Sequence, residues 1–343
     1  MTEAATIPDV RDLTALPKVE LHVHLEGAMR IATVQELSDR ARSATPSGLA
    51  GDRWRFAGFD DFIAQYTATC ALLAEPEDFR RIAYEFCEDE ARNGVRYAEV
   101  VFSPSNHAPR LGDDWFGPIE AVLDGLEAGR RDFGVTARVA PDLVRDTGLE
   151  MAERSLEVAL KFAGGGVVAL NAAGSERSAV APFGPLFRRA KDAGLRSVPH
   201  AGEWAGPRNV WETLEHCLPD RIGHGVRSVE DPALVEHLAA IGIPLEVSPV
   251  SNVATGVYPS LAEHPFRVLR DAGVTVTLNS DDPPMFGAWL GDVYRVAADT
   301  WGYDDPSLAE IARTGVRASF ADDDLKSEIL EGIDTWLAGP DGI

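Results

Sequence analysis

Residues 19–24 read Val-Glu-Leu-His-Val-His, a short run that predicts the first β-strand of the chain. Seven further runs of this kind follow it along the sequence. They are Arg96–Ser103, Thr136–Val144, Gly166–Gly174, Arg196–Gly202, Arg221–Val226, Ile243–Ser248 and Val274–Ser280. Amphipathic helical patterns lie between the runs, and this alternation is typical of βαβ units and a parallel sheet. The sequence therefore predicts an α/β protein.

Eight strands with intervening helices fit the (β/α)₈ barrel, also called the TIM barrel. The helical patterns are Asp78–Asn93, Phe116–Phe133, Gly148–Phe162, Pro185–Ala193, Pro232–Ile241 and Leu261–Asp271. A doubly wound open sheet is the alternative, but it usually carries a G-x-G-x-x-G turn after its first strand, and none follows Val19–His24. In a barrel the active site lies at the carboxyl ends of the strands, so side chains at those ends become the functional candidates.

Extra helices are predicted at two places. The insertion between the first and second strands contains helical patterns at Ile31–Arg42 and Phe59–Leu73, joined by a turn-rich loop, residues 43–52. Two helices, Pro306–Phe320 and Asp322–Ala338, are predicted at the carboxyl terminus. Because no repeat or low-complexity linker divides the chain, we expect one domain spanning residues 1–343.

The insertion, about residues 30–75, is placed to form a helical lid over the barrel mouth. Phe59, Phe62, Ile63 and Tyr66 follow the spacing of one helix face. Core packing is the ordinary explanation of such an apolar stripe. Its position directly after the first barrel strand favours contact with a flat apolar ligand, so these four residues are substrate-binding candidates.

The composition excludes several classes of partner. Among 343 residues, 32 Lys and Arg oppose 55 Asp and Glu, a net charge of −23. This balance disfavours nucleic acid and anionic membranes as partners, because both bind clustered basic residues.

Three cysteines without C-x-x-C pairing indicate a reducing compartment. The first residues lack the basic and apolar regions of a signal peptide, and no apolar run approaches the roughly 20 residues of a membrane span. We expect a cytoplasmic protein.

Histidines and carboxylates gather at the predicted strand ends. His22 and His24 end the first strand, and residues two apart in a strand point to the same face, so both rings can reach one ion. An isolated H-x-H pair is equally compatible with two structural histidines. His200, His224 and the pair Asp281-Asp282 follow the fifth, sixth and eighth strands, which strengthens the metal hypothesis. The remaining histidines are predicted to be structural or exposed: His107 in a loop, and His216, His237 and His264 in or beside helices.

Three neutral imidazoles and one carboxylate form a set of ligands suited to Zn²⁺, with Fe²⁺ and Mn²⁺ as alternatives. Such an ion lowers the pKa of bound water to about 7. Glu203, His224 and Asp282 remain to orient the nucleophile and to protonate the leaving region. Burial beside an apolar lid would let Glu203 hold its proton and act as an acid. For Asp282, turn chemistry before Pro283 is the structural alternative.

Four ordered motifs resemble the adenosine deaminase family of metal-dependent aminohydrolases. They are PKVELHVHLEG (17–27), PHAGE (199–203), RIGHG (221–225) and LNSDDP (278–283), and the resemblance covers nearly the whole chain. It implies a (β/α)₈ barrel with one zinc ion per chain, whose ligands match His22, His24, His200 and Asp281.

The resemblance also implies roles for the other residues. Glu203 matches the proton donor to purine N1, His224 the histidine that orients the attacking hydroxide, and Asp282 the carboxylate that pairs with N7. With Asp281, Glu203 and His224 form the expected catalytic set. Gly174 matches the glycine whose backbone contacts N3, and His24 and Glu26 would also contact the substrate, Glu26 at the position of the family's ribose-binding aspartate.

Two departures from the family bear on the substrate. The family segment DLAGDE is replaced by Asn171-Ala172-Ala173-Gly174-Ser175-Glu176, so both aspartates are missing. Glu26 is one methylene longer than the usual aspartate, which leaves less room for a sugar. Glu26 and the run Asp281–Gly287 are similar to relatives that deaminate adenine or aminodeoxyfutalosine, whereas SLAEHP and GIPLEV resemble ordinary adenosine deaminases.

The sequence thus predicts deamination at C6 of a 6-aminopurine. Adenosine, converted with water to inosine and ammonia, is the expected substrate, and aminodeoxyfutalosine or adenine is the alternative. AMP is disfavoured, because a phosphate requires Arg or Lys in its pocket. A non-catalytic purine-binding barrel, or hydrolysis of another C–N bond such as a cyclic amide, remains open. The expected partner is a small purine, without nucleic acid or membrane, and the oligomeric state is undetermined.

Overall fold

Parallel strands form the wall of a barrel in the computed structural model, which describes residues 10–339 of the chain. The strands are β1 (Lys18–His24), β2 (Leu49–Ala50), β3 (Arg53–Trp54), β4 (Val95–Phe102), β5 (Thr136–Val144), β6 (Ala169–Ala173), β7 (Arg196–Ser197), β8 (His200–Ala201), β9 (Ile222–His224), β10 (Leu245–Val247) and β11 (Val276–Leu278). Except for the antiparallel hairpin β2–β3, every strand pair is parallel.

The strands pair in chain order around the barrel. One sheet runs β1-β4-β5-β6-β7 and the other β11-β10-β9-β8. β7 and β8 are two parts of the predicted fifth strand, interrupted at Val198-Pro199, where proline lacks an N–H for the ladder. The barrel closes where His24 N donates to Asp281 O at 2.8 Å and Asp281 N donates to His22 O at 3.1 Å. The prediction of a (β/α)₈ barrel is confirmed.

Helices surround the strands. They are α1 (Ile31–Ala41), α2 (Phe59–Cys70), α3 (Pro76–Arg92), α4 (Pro104–His107), α5 (Gly117–Phe133), α6 (Gly148–Lys161), α7 (Gly184–Asp192), α8 (Pro207–Cys217), α9 (Pro232–Ile241), α10 (Pro249–Ala254), α11 (Phe266–Asp271), α12 (Pro283–Phe286), α13 (Leu290–Trp301), α14 (Asp305–Ala318) and α15 (Asp323–Ala338). The helices α14 and α15 correspond to the two predicted at the carboxyl terminus.

Some predicted elements were wrong in detail. The helix expected at Leu261–Asp271 is a 3₁₀ turn, Leu261–Glu263, followed by α11, because Pro265 holds the preceding His264 in an extended conformation. The predicted loop 43–52 contains β2, whose partner β3 follows it at once. Two-residue strands are too short to produce a periodic signal. The helices α8 and α13 were not predicted.

Within residues 10–339, no helix is both long enough and apolar enough to cross a membrane. The prediction that the chain lacks a signal peptide concerns residues 1–9, which lie outside the described residues, as do residues 340–343. The single-domain organisation stays a prediction.

Candidate metal centre and substrate cavity

The barrel brings the predicted ligand residues together. His22 and His24 lie on β1, His200 begins β8, and Asp281 follows β11. Ligand atoms of His22, His24 and Asp281 lie within 4.8 Å of one another, and so do those of His22, His200 and His224. All of these side chains are buried. Strands that are distant in sequence therefore converge on one point at the carboxyl end of the barrel.

The nitrogens face inward and are poorly satisfied by protein atoms. His22 Nε2 has no hydrogen-bond partner among the described residues and lies 3.5 Å from Asp281 Oδ1. His24 Nε2 lies 3.3 Å from His200 Nε2 and 3.4 Å from the same Asp281 oxygen. Buried polar atoms normally have partners, so convergent nitrogens beside a carboxylate fit the coordination of a metal ion.

The electrostatics of this cluster suit a cation. Burial lowers the pKa of His24 to about 4 and that of His224 to about 3, which keeps both imidazoles neutral and able to ligate. Burial opposes the charged form of His22 too, but Asp281 and Glu246 raise its pKa to about 10. Burial likewise opposes ionisation of Asp281, yet the surrounding histidines hold its pKa far below the ordinary range. The cluster is therefore built to hold positive charge.

A buried ionic chain orients His22. Its Nδ1 donates to Glu246 Oε2 at 2.9 Å, which leaves Nε2 directed at the cluster. Arg221 Nε donates to the other Glu246 oxygen at 2.5 Å, and a second Arg221 nitrogen donates to Glu99. All three partners are buried inside strands or at their ends. None of the three was predicted to have this role, although a charged residue within a buried apolar run is a signal that marks such sites.

Two further side chains orient ligands. Asn171 Oδ1 accepts from His200 Nδ1 at 3.0 Å, and Ser251 Oγ donates to Asp281 Oδ2 at 2.6 Å. Partners of this kind fix ring orientation at metal sites. The backbones of His224 and Asp281 adopt φ values of 60° and 69°, conformations that cost energy for residues other than glycine. Such strain is concentrated at functional sites.

Gly223 leaves space for the His22 ring because it has no side chain. A Cβ atom on Gly223 would lie 2.8 Å from His22 Cε1. This is closer than real Cβ atoms approach, so any side chain at position 223 would displace the ring. The glycine of the RIGHG motif thus allows a histidine of another strand to approach its backbone closely.

Three groups suited to acid–base chemistry lie beside the cluster. His224 Nε2 is 3.8 Å from Glu203 Oε2 and 3.9 Å from Asp281 Oδ2. Burial, reinforced by Asp281, raises the pKa of Glu203 well above its ordinary value. Burial and the same Asp281 charge also raise the pKa of Asp282. Both shifts favour the neutral carboxyl form, which can donate a proton or a hydrogen bond.

Glu176 holds the loop that carries Glu203. Its carboxylate accepts backbone N–H groups from Glu203 at 3.2 Å, from Trp204 at 2.9 Å and from Ala205. Three donors on one carboxylate leave the loop little freedom. The sequence analysis named Glu176 only as part of a departure from the family segment and assigned it no role.

The candidate site opens into a cavity of about 740 Å³ that continues to solvent. Its lining includes the metal-cluster residues His24, His200 and Asp281, the proposed catalytic residues Glu203 and His224, and Asp282 and Gly174. The four stripe residues of α2, namely Phe59, Phe62, Ile63 and Tyr66, line it as well. The insertion therefore covers the barrel mouth, as a lid would.

Glu26 does not line this cavity, which corrects its assignment as a substrate contact. Its carboxylate is fully buried and accepts from Ser103 N at 3.0 Å, from His107 Nε2 at 2.9 Å and from Tyr66 Oη at 3.4 Å. These donors occupy the oxygens that would otherwise bind a hydroxyl. Its role in the structure is to join α4 and the lid helix α2 to the barrel.

The other histidines lie away from the cluster. His107 is in α4 rather than in a loop and is fully buried. His264 is buried against Asn252, with its Nε2 3.1 Å from Asn252 Oδ1. His216 and His237 lie on α8 and α9, half-buried and exposed respectively.

Comparison with known proteins agrees with the site. The family model described as adenosine deaminase matches residues 17–336. An aminodeoxyfutalosine deaminase of Streptomyces coelicolor is 43% identical over 349 residues, covering 98% of this chain and 90% of that protein. An adenine deaminase of Agrobacterium fabrum is 35% identical over 316 residues, covering 92% of this chain and 97% of that protein.

A solved structure shares the fold over the whole length. It is an amidohydrolase from Burkholderia ambifaria with bound zinc, with a TM-score of 0.86, 28% identity and coverage of 98% of both chains. The predicted resemblance is confirmed. The chain belongs to the adenosine deaminase family and is a hydrolytic deaminase of aminopurine-type substrates.

Proposed function

We propose that the chain catalyses zinc-dependent deamination at C6 of an N9-substituted 6-aminopurine, with aminodeoxyfutalosine as its substrate. The observation that carries this proposal is the convergence of His22, His24, His200 and Asp281 beside two neutral carboxyl groups, Glu203 and Asp282, in one lidded cavity. The reaction replaces the 6-amino group by oxygen from water and releases ammonia.

The four ligand residues would hold one zinc ion per chain, since three imidazoles and a carboxylate suit that metal. When bound, the ion supplies a water molecule of lowered pKa as the nucleophile. The family and the convergent donors support a metal cofactor, and Fe²⁺ or Mn²⁺ is the alternative. His22 is held for this task by Glu246, and His200 by Asn171.

The chain's own groups bind the purine and move protons. Glu203 donates its proton to N1, which makes C6 more electrophilic. His224, close to both Glu203 and Asp281, orients the attacking water and receives its proton. Asp282, whose Oδ1 has no partner among the described residues, donates a hydrogen bond to N7. The Gly174 backbone faces N3, and the α2 stripe packs on the ring.

The relatives favour aminodeoxyfutalosine over adenosine, the substrate expected from the sequence. The Streptomyces protein named for that activity is 43% identical, and the adenine deaminase of Agrobacterium fabrum is 35% identical. Adenine is therefore the second candidate. The compounds differ at N9, where aminodeoxyfutalosine carries a large substituent and adenine carries hydrogen.

The setting of the reaction also stays a proposal. Cys70, Cys87 and Cys217 are buried free thiols, which agrees with a reducing compartment such as the cytoplasm. The relatives are named as deaminases, which gives no support to the non-catalytic purine-binding alternative or to hydrolysis of a cyclic amide.

Steady-state kinetics on purified protein test the substrate. We expect kcat/KM to be highest for aminodeoxyfutalosine, lower for adenosine and lowest for adenine, with ammonia released in each case. Higher kcat/KM for adenine would transfer the assignment to the second candidate. Activity on none of the 6-aminopurines, with metal bound, would overturn the function itself. Removal of the metal by a chelator, followed by return of Zn²⁺, Fe²⁺ or Mn²⁺, identifies the ion.

A further inference from the structure

Two lining residues of the cavity carry a buried oxygen without a hydrogen-bond partner among the described residues. One is Asp282 Oδ1, which the proposed function assigns to purine N7. The other is Asp142 Oδ1, on a side chain only 1% exposed at the end of β5. An unpartnered buried polar atom is costly. An oxygen of this kind on a cavity wall therefore points to a ligand atom, and nothing in the mechanism so far uses Asp142.

Asp142 is held in place rather than free to turn. Ser103 Oγ donates to Asp142 Oδ2 at 2.8 Å, and Ser103 N donates to Glu26. Asp142 also pairs in the β5–β6 register with Asn171, the residue that orients His200. Its free oxygen is thus fixed by the same framework that holds the metal ligands.

The strand order supports a position for Asp142 near N9. Glu203 follows β8, Gly174 follows β6 and Asp142 lies near the end of β5, and these strands are successive around the barrel. N1, N3 and N9 are likewise successive around a purine ring. A purine whose N1 faces Glu203 and whose N3 faces Gly174 therefore directs its N9 substituent toward Asp142.

The chemistry of this wall suits an alcohol. Burial, reinforced by Glu26, raises the pKa of Asp142 well above its ordinary value, so the carboxyl group offers both a proton and a lone pair. A hydroxyl group has the same two functions and can pair in either direction. Asn106, half-buried, and Asp146, exposed, add polar groups to the same wall.

We infer that Asp142, positioned by Ser103, hydrogen-bonds a hydroxyl group of the N9 substituent and so selects nucleoside-type 6-aminopurines over free adenine. This inference rests on the proposed function. The sugar contact predicted for Glu26 is therefore assigned to Asp142, which lies two strands further around the barrel. Ser103, His107 and Tyr66 already donate to the Glu26 carboxylate.

The test compares adenosine, whose N9 ribose carries hydroxyl groups, with 9-ethyladenine, whose N9 substituent carries none. We expect Asp142→Ala to lower kcat/KM for adenosine about 10- to 100-fold, the usual effect of losing one hydrogen bond to a carboxyl group. For 9-ethyladenine we expect less than about threefold change. Asp142→Asn keeps a hydrogen-bonding group and should recover most of the selectivity, whereas a purely structural role would lower kcat/KM of both substrates alike.

Asp192→Asn, an exposed change on α7 outside the cavity, is the matched control. Equal losses on both substrates in Asp142→Ala, or the same loss of selectivity in Asp192→Asn, would overturn the inference. Ser103→Ala provides a second variant if Asp142→Ala does not fold, and we expect a smaller loss of selectivity in the same direction. A wild-type enzyme that deaminates none of aminodeoxyfutalosine, adenosine, adenine and 9-ethyladenine contradicts the proposed function, whereas activity without selectivity between adenosine and 9-ethyladenine contradicts only this inference.

Discussion

His22 Nδ1 donates a 2.9 Å hydrogen bond to Glu246 Oε2, and both side chains are buried. The bond fixes which ring nitrogen faces the ligand cluster. A carboxylate behind a ligating imidazole also increases its basicity. Arg221 donates to both Glu246 and Glu99. The candidate metal ligand His22 on β1 is therefore oriented by Glu246 of β10, which is itself held by buried charged residues in or next to two other strands.

Glu246→Gln should weaken metal binding. The substitution preserves shape but removes the negative charge behind His22, and losses of this kind lower metal affinity about 10- to 100-fold. Competition with a chromogenic chelator measures the affinity. Glu236→Gln, an exposed change on α9, is the control and should bind metal as the wild type does. Wild-type metal affinity in Glu246→Gln would show that the bond is not needed to orient His22.

Glu203→Gln should separate metal binding from turnover. The amide cannot deliver a proton to N1, and general acid catalysis contributes about 10²- to 10⁴-fold, so we expect kcat to fall by that factor. Metal content, measured by atomic emission, should stay at the wild-type value. The exposed Glu328→Gln on α15 is the matched control. A variant that retains full kcat would remove Glu203 from the proposed mechanism.

Glu176→Gln should affect catalysis through the position of Glu203. Its carboxylate accepts three consecutive backbone N–H groups, and an amide oxygen is a weaker acceptor than a carboxylate. We expect kcat to fall roughly 10-fold with unchanged metal content. The exposed Glu157→Gln on α6 controls for loss of one charge. If KM rises while kcat is unaffected, Glu176 acts on substrate binding instead.

Stability should depend on pH through Lys18, at the amino end of β1. Its Nζ donates to Leu13 O and Leu16 O, and burial lowers its pKa to about 7, whereas Glu90 opposes this shift. The unfolded chain keeps an ordinary lysine pKa of about 10.4. Between these values the unfolded state binds more protons, so this residue's contribution makes the free energy of unfolding increase as the pH rises.

Urea unfolding of the wild type and Lys18→Met tests this prediction. The difference in unfolding free energy, wild type minus variant, should increase in favour of the wild type between about pH 7 and pH 9.5. Glu20, whose pKa burial raises to about 8, titrates in the same range in both proteins. Because Lys18 lowers the pKa of the buried Glu90, the comparison is made in a Glu90→Gln background, which isolates Lys18. A difference that is constant or falls with pH would contradict the assignment.

Much of the fold, and the convergence of the candidate ligands, was predictable because the signals are local. Period-two alternation places His22 and His24 on one face of β1, and His200 and Asp281 come at strand ends that a barrel brings to a common rim. The stripe on α2 follows from helical spacing and does line the cavity. The elements predicted poorly, such as β2, β3 and the interrupted β7–β8 strand, are too short to carry a period.

Glu26 shows where local reasoning fails. Its place in the HLEG motif suggested a sugar contact, but the direction of its side chain is decided by Ser103, His107 and Tyr66, which arrive from three other elements. Asp142 shows the opposite error. It is a charged residue within a predicted strand, the same signal that Glu99 and Glu246 carry, but only the tertiary structure shows that one of its oxygens is buried without a partner among the described residues.

The amino-acid sequence by itself determined the parallel barrel, the order of the motifs and the candidate metal-binding side chains, because periodicity and strand ends are properties of neighbouring residues. Tertiary structure alone decided which buried charges support those side chains and which unpartnered carboxyl oxygen we assign to the substituent at N9. The physical reason is barrel closure, which places Glu246 beside His22 and Ser103 beside Asp142 across long separations in sequence. Packing between distant segments decides which buried polar atoms form hydrogen bonds and which stay without a partner, and no local sequence pattern predicts this packing.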